Sequence, residues 1–575
     1  MPVMRHTRIP GGGIISLLLA TAALLSAQVY VTGPQVLTFY SRIDDSDQLY
    51  GLYLPRKFDP AKAYPLVVSL HGSGSNHRLN LRRVFGKGNA PGESDVQASR
   101  YFPALPYVEF IVASPYARGS MGYQSIAEQD VLDVIADVKK RFAVDEDRMY
   151  LTGLSMGGGG TLWFGLTRPD LWAAIAPVCA GRDGMLSLAP NALNLPVHLF
   201  HGDADKLVPV ERSRQWHKEF LALGVPSEYI EYPGVDHNSW DLAYKDANIF
   251  RWFSQHRRNH LPDRVRYVSQ QYRYRSAYWV ELDGFTPGTP ASIDARFSDV
   301  NVLDIETSRL DGFTLKLAEH PKVQTGRPLR ISVDGQKLET AVRNTISLLR
   351  SKDGWQFGRY EPTAGEKRAG AEGPIMEAVS ARHLYVYGTA DSPAPEELKR
   401  REREALFAAN WFGSRPQARL AVSFFAAADK DVNLEQGRAP DLVLFGTKET
   451  NRVIRSYAGR LPLELKTASP DFGLFFIAHF DGRNLLVNSG LPYWTGIEQI
   501  VTANARVRLY APNQLLVRTD YGDYALFKGS ITNIVAQGRF DRQWNVPAGD
   551  AEKLEATGAV IVKRRSAVDA QTRGR

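Results

Sequence analysis

The chain has one cysteine, Cys179, in 575 residues. No internal disulfide can form, so the fold must rest on packing and hydrogen bonds; a chain of this length can bury cores large enough for that. Charge of one sign is also missing as a cluster. The formal net charge is +8, and the basic residues are scattered, which excludes a nucleic-acid-binding face as the organising feature. The 12 histidines are dispersed with no metal-ligand spacing, so the expected metal and cofactor content is none. Long apolar runs are absent beyond residues 14–25, and that run is short of the ~20 residues a membrane span needs. What remains is ordinary globular composition, 44% hydrophobic and 23% charged. At ~150 residues per domain the length suits two to four domains.

The N-terminal run does have a reading. Arg5, His6 and Arg8 precede it, and Ser26-Ala27 supplies small residues after it, although Leu25 is not the ideal residue three positions before the cut. This is the layout of an export signal over residues 1–27, with an uncleaved anchor as the alternative. It predicts a secreted or periplasmic protein. Cys179 lies in an apolar strand-like stretch, 173–180, and reads as a buried structural thiol.

Glycine is plentiful, at 48 residues, and it concentrates where it matters most. Gly153-Leu154-Ser155-Met156-Gly157 fits G-x-S-x-G, with a short apolar strand before it and a helix-forming stretch, 161–166, after it. Strand, sharp turn and helix would hold Ser155 in strained backbone angles, and a side chain at Gly153 or Gly157 would collide with neighbouring backbone. The turn would aim the Met156 N–H and the helix N-terminus at an oxyanion.

Around this turn, β and α patterns alternate. Residues 36–40 and 48–55 read as strands, and 64–70 is a continuous apolar run suited to a strand buried on both faces. Residues 108–115 form another strand. Ser125-Ile126-Ala127-Glu128 has the capping-box pattern and opens a helix with Val131, Ile135, Val138 and Phe142 on one face. Asp130 and Asp133 near its start read as surface acids favoured by the helix dipole. Strands at 173–178, 196–202 and 227–232 follow, with helices around Trp216 and Phe220 and over 247–256. Such alternation implies a mostly parallel sheet with helices on both faces.

Two loops complete a constellation. Ser155, Asp205 and His237 occur in the order Ser, Asp, His, each after a strand. In this assignment Ser155 is the nucleophile, His237 the base and Asp205 the residue that orients it; Asp203 is the rival acid, and Asp236 adjoins the base. The segments Gly153-Leu-Ser155-Met-Gly157-Gly, His201-Gly-Asp-Ala-Asp205-Lys-Leu-Val-Pro and Pro233-Gly-Val-Asp-His237-Asn-Ser-Trp resemble the α/β-hydrolases related to prolyl oligopeptidases. They equally resemble secreted esterases of the polyhydroxybutyrate-depolymerase and feruloyl-esterase type. The resemblance covers roughly residues 36–258. It implies that His71-Gly72-Ser73-Gly74 supplies a second oxyanion donor, the Ser73 N–H with Gly74 as the alternative, beside Met156. One departure from the peptidases is that only a short segment precedes the hydrolase region, where those enzymes carry a β-propeller.

Beyond residue 263 the pattern changes. Short alternating strands at 278–282, 291–297, 313–317 and 329–335 suggest a β-sandwich over 263–358. Residues 361–373 are charged and glycine-rich and read as an exposed loop. A second α/β region is expected over 374–562, with strands at 383–389 and 441–447, each ending in Gly-Thr before a helix. These read as ordinary βα turns, with an anion-binding turn as the alternative. Residues 563–575 read as a disordered basic tail. The domain plan is thus an α/β-hydrolase over 28–259, a small β-sandwich-like domain and a second α/β domain of unassigned role. The function expected is an exported serine hydrolase cleaving carboxylic esters, small or polymeric, without partners among nucleic acids or membranes. A serine peptidase of the prolyl oligopeptidase type is the second reading, and a non-catalytic binding protein with a relict hydrolase domain the third. Because amides need leaving-group protonation and tight register, short-chain aryl esters are expected to be cleaved faster than proline-containing amides.

Overall fold

A computed structural model describes residues 30–182, 184–410, 424–434, 440–497 and 512–564. The export-signal reading, and the tail reading from 565 onward, lie outside the described residues. Among the described residues no helix is long and apolar enough to cross a membrane.

The first region is an eight-stranded sheet: β1 (Gly33–Ser41), β2 (Ser46–Leu54), β3 (Tyr64–Leu70), β4 (Ile111–Pro115), β5 (Val144–Leu154), β6 (Ala174–Val178), β7 (Val197–Gly202) and β8 (Ser227–Tyr232). The spatial order is β1-β2-β4-β3-β5-β6-β7-β8. β1, β2 and β4 pair antiparallel, and from β4 to β8 every pairing is parallel. The apolar run of β3 is buried along its whole length, as a central strand covered on both faces requires. The crossovers include α1 (His77–Arg83), α2 (Asp95–Ala98), α3 (Ile126–Arg141), α4 (Met156–Thr167) and α5 (Glu211–Ala222). One face of the sheet closes over an aromatic cluster of Tyr53, Phe85, Phe110, Tyr150, Phe250 and Phe253. At roughly 1.5–3 kcal/mol per large apolar side chain buried, such clusters supply the stability that disulfides do not. The order of strands and the run of parallel pairings are those of an α/β-hydrolase sheet, and reactive loops in such sheets gather at the C-terminal ends of the strands.

Two expectations at the start of α3 fail, for one reason. Ser125 has φ 56° and makes no side-chain cap. Its hydroxyl donates instead to the Val379 carbonyl, 254 residues away, at 3.1 Å. Glu128 does not reach back to the cap. It turns inward, where Oε2 accepts from Trp163 Nε1 at 3.0 Å and Tyr274 Oη at 2.7 Å, while Oε1 takes Arg168. Asp130, read as a surface acid, is buried and grips the equally buried Arg118. Local pattern loses at all three residues because chain outside the helix covers this end and offers better partners.

Residues 264–357 fold into two five-stranded sheets that share one core, in which Trp279, Phe297, Phe313 and Trp355 are buried. This is the expected sandwich, with one parallel pairing, Val302–Ser308 against Leu329–Val333, among antiparallel ones. A seven-stranded mixed sheet follows. Its parallel half contains His383–Tyr387, Asp441–Phe445 and Arg483–Gly490; its other half is an antiparallel run through Phe472–Phe480, Tyr524–Lys528 and Ile534–Gly538.

The Gly388-Thr389 turn and the helix start after the Gly446-Thr447 turn meet at one internal carboxylate, while the Gly446 and Thr447 N–H groups donate to the Asn488 carbonyl and the Thr450 hydroxyl. Asp429 accepts from the Thr389 N–H at 3.1 Å, the Thr389 hydroxyl at 2.5 Å and the Arg452 N–H at 2.6 Å. These donors are satisfied within the chain, which supports the ordinary-turn reading. The stretch 361–373 is a loop, as expected, but it is exposed only in part. Glu366, Lys367 and Glu372 are buried, and Lys367 Nζ sits 2.5 Å from the buried Asp523 Oδ2. The charges that suggested solvent are there to be paired across 156 residues of sequence.

Candidate active site

The site begins at the end of β5. Ser155 follows the last strand residue with φ 55° and ψ −115°, and α4 starts at the next residue. That backbone costs about 1–3 kcal/mol and persists only where its surroundings enforce it. They do: the Ser155 N–H donates to the Val178 carbonyl at 2.9 Å. A Cβ on Gly153 would lie 2.4 Å from the Gly157 carbonyl oxygen, and one on Gly157 would lie 2.1 Å from the Leu70 carbonyl oxygen. Both glycines are therefore required by close backbone approach.

The loop after β8 brings His237 over the serine. Its Nε2 lies 2.9 Å from Ser155 Oγ, and its Nδ1 lies 2.7 Å from Asp205 Oδ2. Asp205 is fully buried, and its Oδ1 accepts from the Leu207 and Val208 N–H groups at 2.8 and 2.9 Å. Burial works against the charged form, but the Val208 N–H, the His237 ring and the Leu207 N–H outweigh it and hold the carboxyl below its ordinary range. The rival acids are occupied elsewhere. Asp203 accepts from the Gly234 N–H at 2.6 Å, and Asp236 accepts from the backbone N–H groups of Lys206 and His237.

One residue at the site escaped the sequence reading. His201, buried at the end of β7, places Nε2 at 3.1 Å from Asp205 Oδ2 and 3.0 Å from the Val208 carbonyl. Its Nδ1 lies 2.7 Å from Ser213 Oγ. Two acceptors around Nε2 assign the proton to that nitrogen, so Nδ1 accepts from the serine. Burial lowers its basicity, which keeps the ring neutral. The only sequence signal was its place four residues before Asp205.

On the opposite side, the loop after β3 packs tightly against the nucleophile turn: a Cβ on Gly72 would lie 2.8 Å from Leu154 Cδ1. His71 is buried there with its ring nitrogens 2.8 and 2.9 Å from the carbonyls of Gly72 and Tyr116, a loop-holding position. The Gly74 N–H donates to Ser120 Oγ at 2.8 Å, so of the two candidates only Ser73 keeps its N–H clear of that bond. Ser73 and Met156 line the same cavity as Ser155 and His237. Cys179 is buried just past β6, and burial pushes its thiol up to about 12, far from a thiolate nucleophile. Among the described residues no group of three or more His, Cys, Asp or Glu side chains is placed to hold a metal ion.

The cavity over Ser155 is about 920 Å³, and much of its wall comes from beyond residue 260. Residues 267–269 end the first sandwich strand, Arg264–Ser269, and 270, 271 and Tyr274 follow it; residues 374–376 follow the buried stretch; residues between 514 and 522 lie on the helix Pro512–Arg518 and the chain after it, and Arg539 follows the strand Ile534–Gly538. The polar contacts that fasten this roof are buried or partly buried. Asn191 clamps Val268 through both its amide atoms, at 2.9 and 2.7 Å, and Tyr267 Oη donates to the Thr167 carbonyl at 2.9 Å. The sequence leaves open whether the two later regions roof the site; the structure puts their residues in its wall.

Against known proteins, residues 45–242 match a family described as a putative esterase. An acyl-protein thioesterase 1 homologue of Dictyostelium discoideum is 27% identical over 123 residues, covering 20% of this chain and 55% of the relative. An uncharacterised secreted protein of Arthroderma benhamiae is 24% identical over 340 residues, covering 51% of this chain and 35% of the relative. The chain therefore spans about half or less of the length of these curated relatives. A thermostable esterase of known structure is 26% identical, with a TM-score of 0.32, over 39% of this chain and 63% of its own. The family match falls on the same sheet, elbow and loops that carry the site.

Proposed function

We propose that this protein is an exported serine hydrolase that cleaves carboxylic esters through Ser155, His237 and Asp205. The observation that carries the proposal is the unbroken contact chain from Ser155 Oγ to His237 Nε2 at 2.9 Å and from His237 Nδ1 to Asp205 Oδ2 at 2.7 Å. Ser155 Oγ attacks the ester carbonyl while His237 Nε2 takes its proton. The carbonyl oxygen becomes an oxyanion, held by the Met156 N–H at the N-terminal end of α4 and by the Ser73 N–H of the loop after β3. The C–O bond to the alcohol breaks as His237 returns the proton to the departing oxygen, leaving an acyl-serine. Water then repeats the sequence: His237 takes its proton, the hydroxide oxygen bonds to the carbonyl carbon, and Ser155 leaves reprotonated. Asp205 keeps the His237 proton on Nδ1 and stabilises the imidazolium. His201 in turn helps fix the Asp205 carboxylate.

Export rests on residues 1–27, and sequencing the N-terminus of the exported protein tests it, with a start at Gln28 expected. The catalytic assignment is tested by labelling with a fluorophosphonate probe. Labelling at Ser155 that disappears in Ser155→Ala is expected; an unlabelled wild type would favour the relict-domain reading. The roof gives the peptidase reading a specific footing, because a covered cavity can hold an amide in register. Ester and amide substrates with the same acyl group separate the two. An amide-to-ester ratio of kcat/KM equal to that of a known prolyl peptidase would move the assignment to peptidase.

A further inference from the structure

Among the described residues, the charged side chains lining the Ser155 cavity are unbalanced. Beside His237, the described ones are Arg182, Arg518, Arg539 and Asp520. Arg539 and Asp520 pair with each other at 2.9 Å. Arg182 and Arg518 have no carboxylate partner among the described residues. The carboxylate nearest in kind, Glu128, is committed to Trp163, Tyr274 and Arg168.

Arg182 is also held in position. It follows Gly181, whose N–H donates to the Ser155 carbonyl at 3.2 Å, so its backbone is tied directly to the nucleophile turn. Its guanidinium lies 4.2 Å from the centre of the Trp163 ring on α4. With the Gln124 amide turned so that its oxygen faces the guanidinium, that oxygen sits 2.9 and 3.0 Å from the two terminal nitrogens. Trp163 and Gln124 line the same cavity. A neutral amide and an aromatic face orient a cation without neutralising it. A guanidinium fixed in this way is prepared to receive a planar anion through two parallel N–H donors.

We propose that Arg182 is a specificity residue that binds a carboxylate carried by the substrate, so that the preferred substrates are anionic esters. Arg518, in the roof helix Pro512–Arg518, adds a second positive charge to the same cavity. Together they give the cavity a field that draws in an acidic ester and repels a cationic one. The proposal rests on the serine ester hydrolase reading above.

The test uses matched pairs of esters assayed on the full chain. One pair carries the charge on the acyl side, the para-nitrophenyl monoester of glutaric acid against the same compound with its free carboxyl methylated. The other carries it on the alcohol side, para-acetoxybenzoate against its methyl ester. For at least one pair, the wild type should favour the anion in kcat/KM by about 10- to 100-fold, the scale of a charge-assisted hydrogen-bond pair. Arg182→Gln should collapse that ratio toward one, Arg182→Lys should keep part of it, and Arg518→Gln should reduce it less. Ratios near one for both pairs in the wild type, or an Arg182→Gln enzyme that keeps the wild-type ratio, would overturn the proposal. Calorimetric titration with glutarate reads the anion site without turnover: binding by the wild type that Arg182→Gln loses supports it, and no binding by the wild type counts against it. Failure of the hydrolase reading looks different, since neither member of either pair would be turned over in a Ser155-dependent way.

Discussion

The floor and the roof of the Ser155 cavity are built on opposite principles. In the floor, each residue of the proposed triad sits at or just after the end of a parallel strand, Ser155 after β5, Asp205 after β7 and His237 after β8. The spacing from strand end to reactive atom is a few residues, so the chemistry is written locally. In the roof, the wall is assembled from residues near 270, 375, 518 and 539, none of them in a motif. They meet because two further sheets fold back over the first. The proposed chemistry is therefore a local property of the chain, whereas access to it is set by tertiary packing.

The sharpest break in this comparison comes from the floor. Ser155→Ala or His237→Ala should each lower kcat by ~10⁴-fold or more with no change in melting temperature. Near-normal turnover in either would remove the assignment. Asp205→Asn should approach the same loss, while Asp203→Asn, whose carboxylate holds only the Gly234 N–H, should cost far less. The reverse ranking would show that the other carboxylate serves His237.

The roof should answer in stability rather than chemistry. Lys367→Met leaves Asp523 buried without its cation, and breaking a buried pair in this way costs ~3–5 kcal/mol. Denaturant unfolding measures the loss. The fluorophosphonate labelling rate of the folded enzyme should change little, and a labelling rate that falls with Ser155→Ala severity would mean that the roof takes part in the chemistry. A smaller effect is expected at the seam between the floor's acid and its support. His201→Gln removes a charged hydrogen bond worth ~1.5–3 kcal/mol from Asp205 and should lower kcat by about 10- to 100-fold with a smaller change in KM. An equal change in both would mark His201 as a folding residue only. The smallest effect should come from Tyr274→Phe, which takes one donor from buried Glu128 and should cost ~1–3 kcal/mol of stability while leaving the nucleophile labelled at the normal rate.

The same division explains what could be read from the chain. The eight strands of the first sheet, the strained turn at Ser155 and the placing of Asp205 and His237 after later strands are legible because each rests on periodicity, glycine sterics and short spacing. The sandwich was legible from alternation. The readings that failed share another feature. Ser125, Glu128, Lys367 and Glu372 are polar residues whose partners lie far away in sequence, as Val379, Tyr274, Asp523 and Arg273 do for them. A polar residue looks solvated when only its neighbours in sequence are considered. His201 was overlooked for the related reason that a buried neutral histidine bears no local mark.

The sequence by itself determined the α/β-hydrolase sheet, the strained turn at Ser155 and the candidate residues Asp205 and His237, because strand burial and backbone crowding act over a few residues. Only the tertiary structure decided that Asp205 rather than Asp203 faces His237, that His201 braces it, that a roof encloses the cavity and that Arg182 stands in it without a described counter-charge. Those outcomes depend on distances between residues far apart in the chain, and electrostatic pairing and enclosure are set by those distances, which no local pattern encodes.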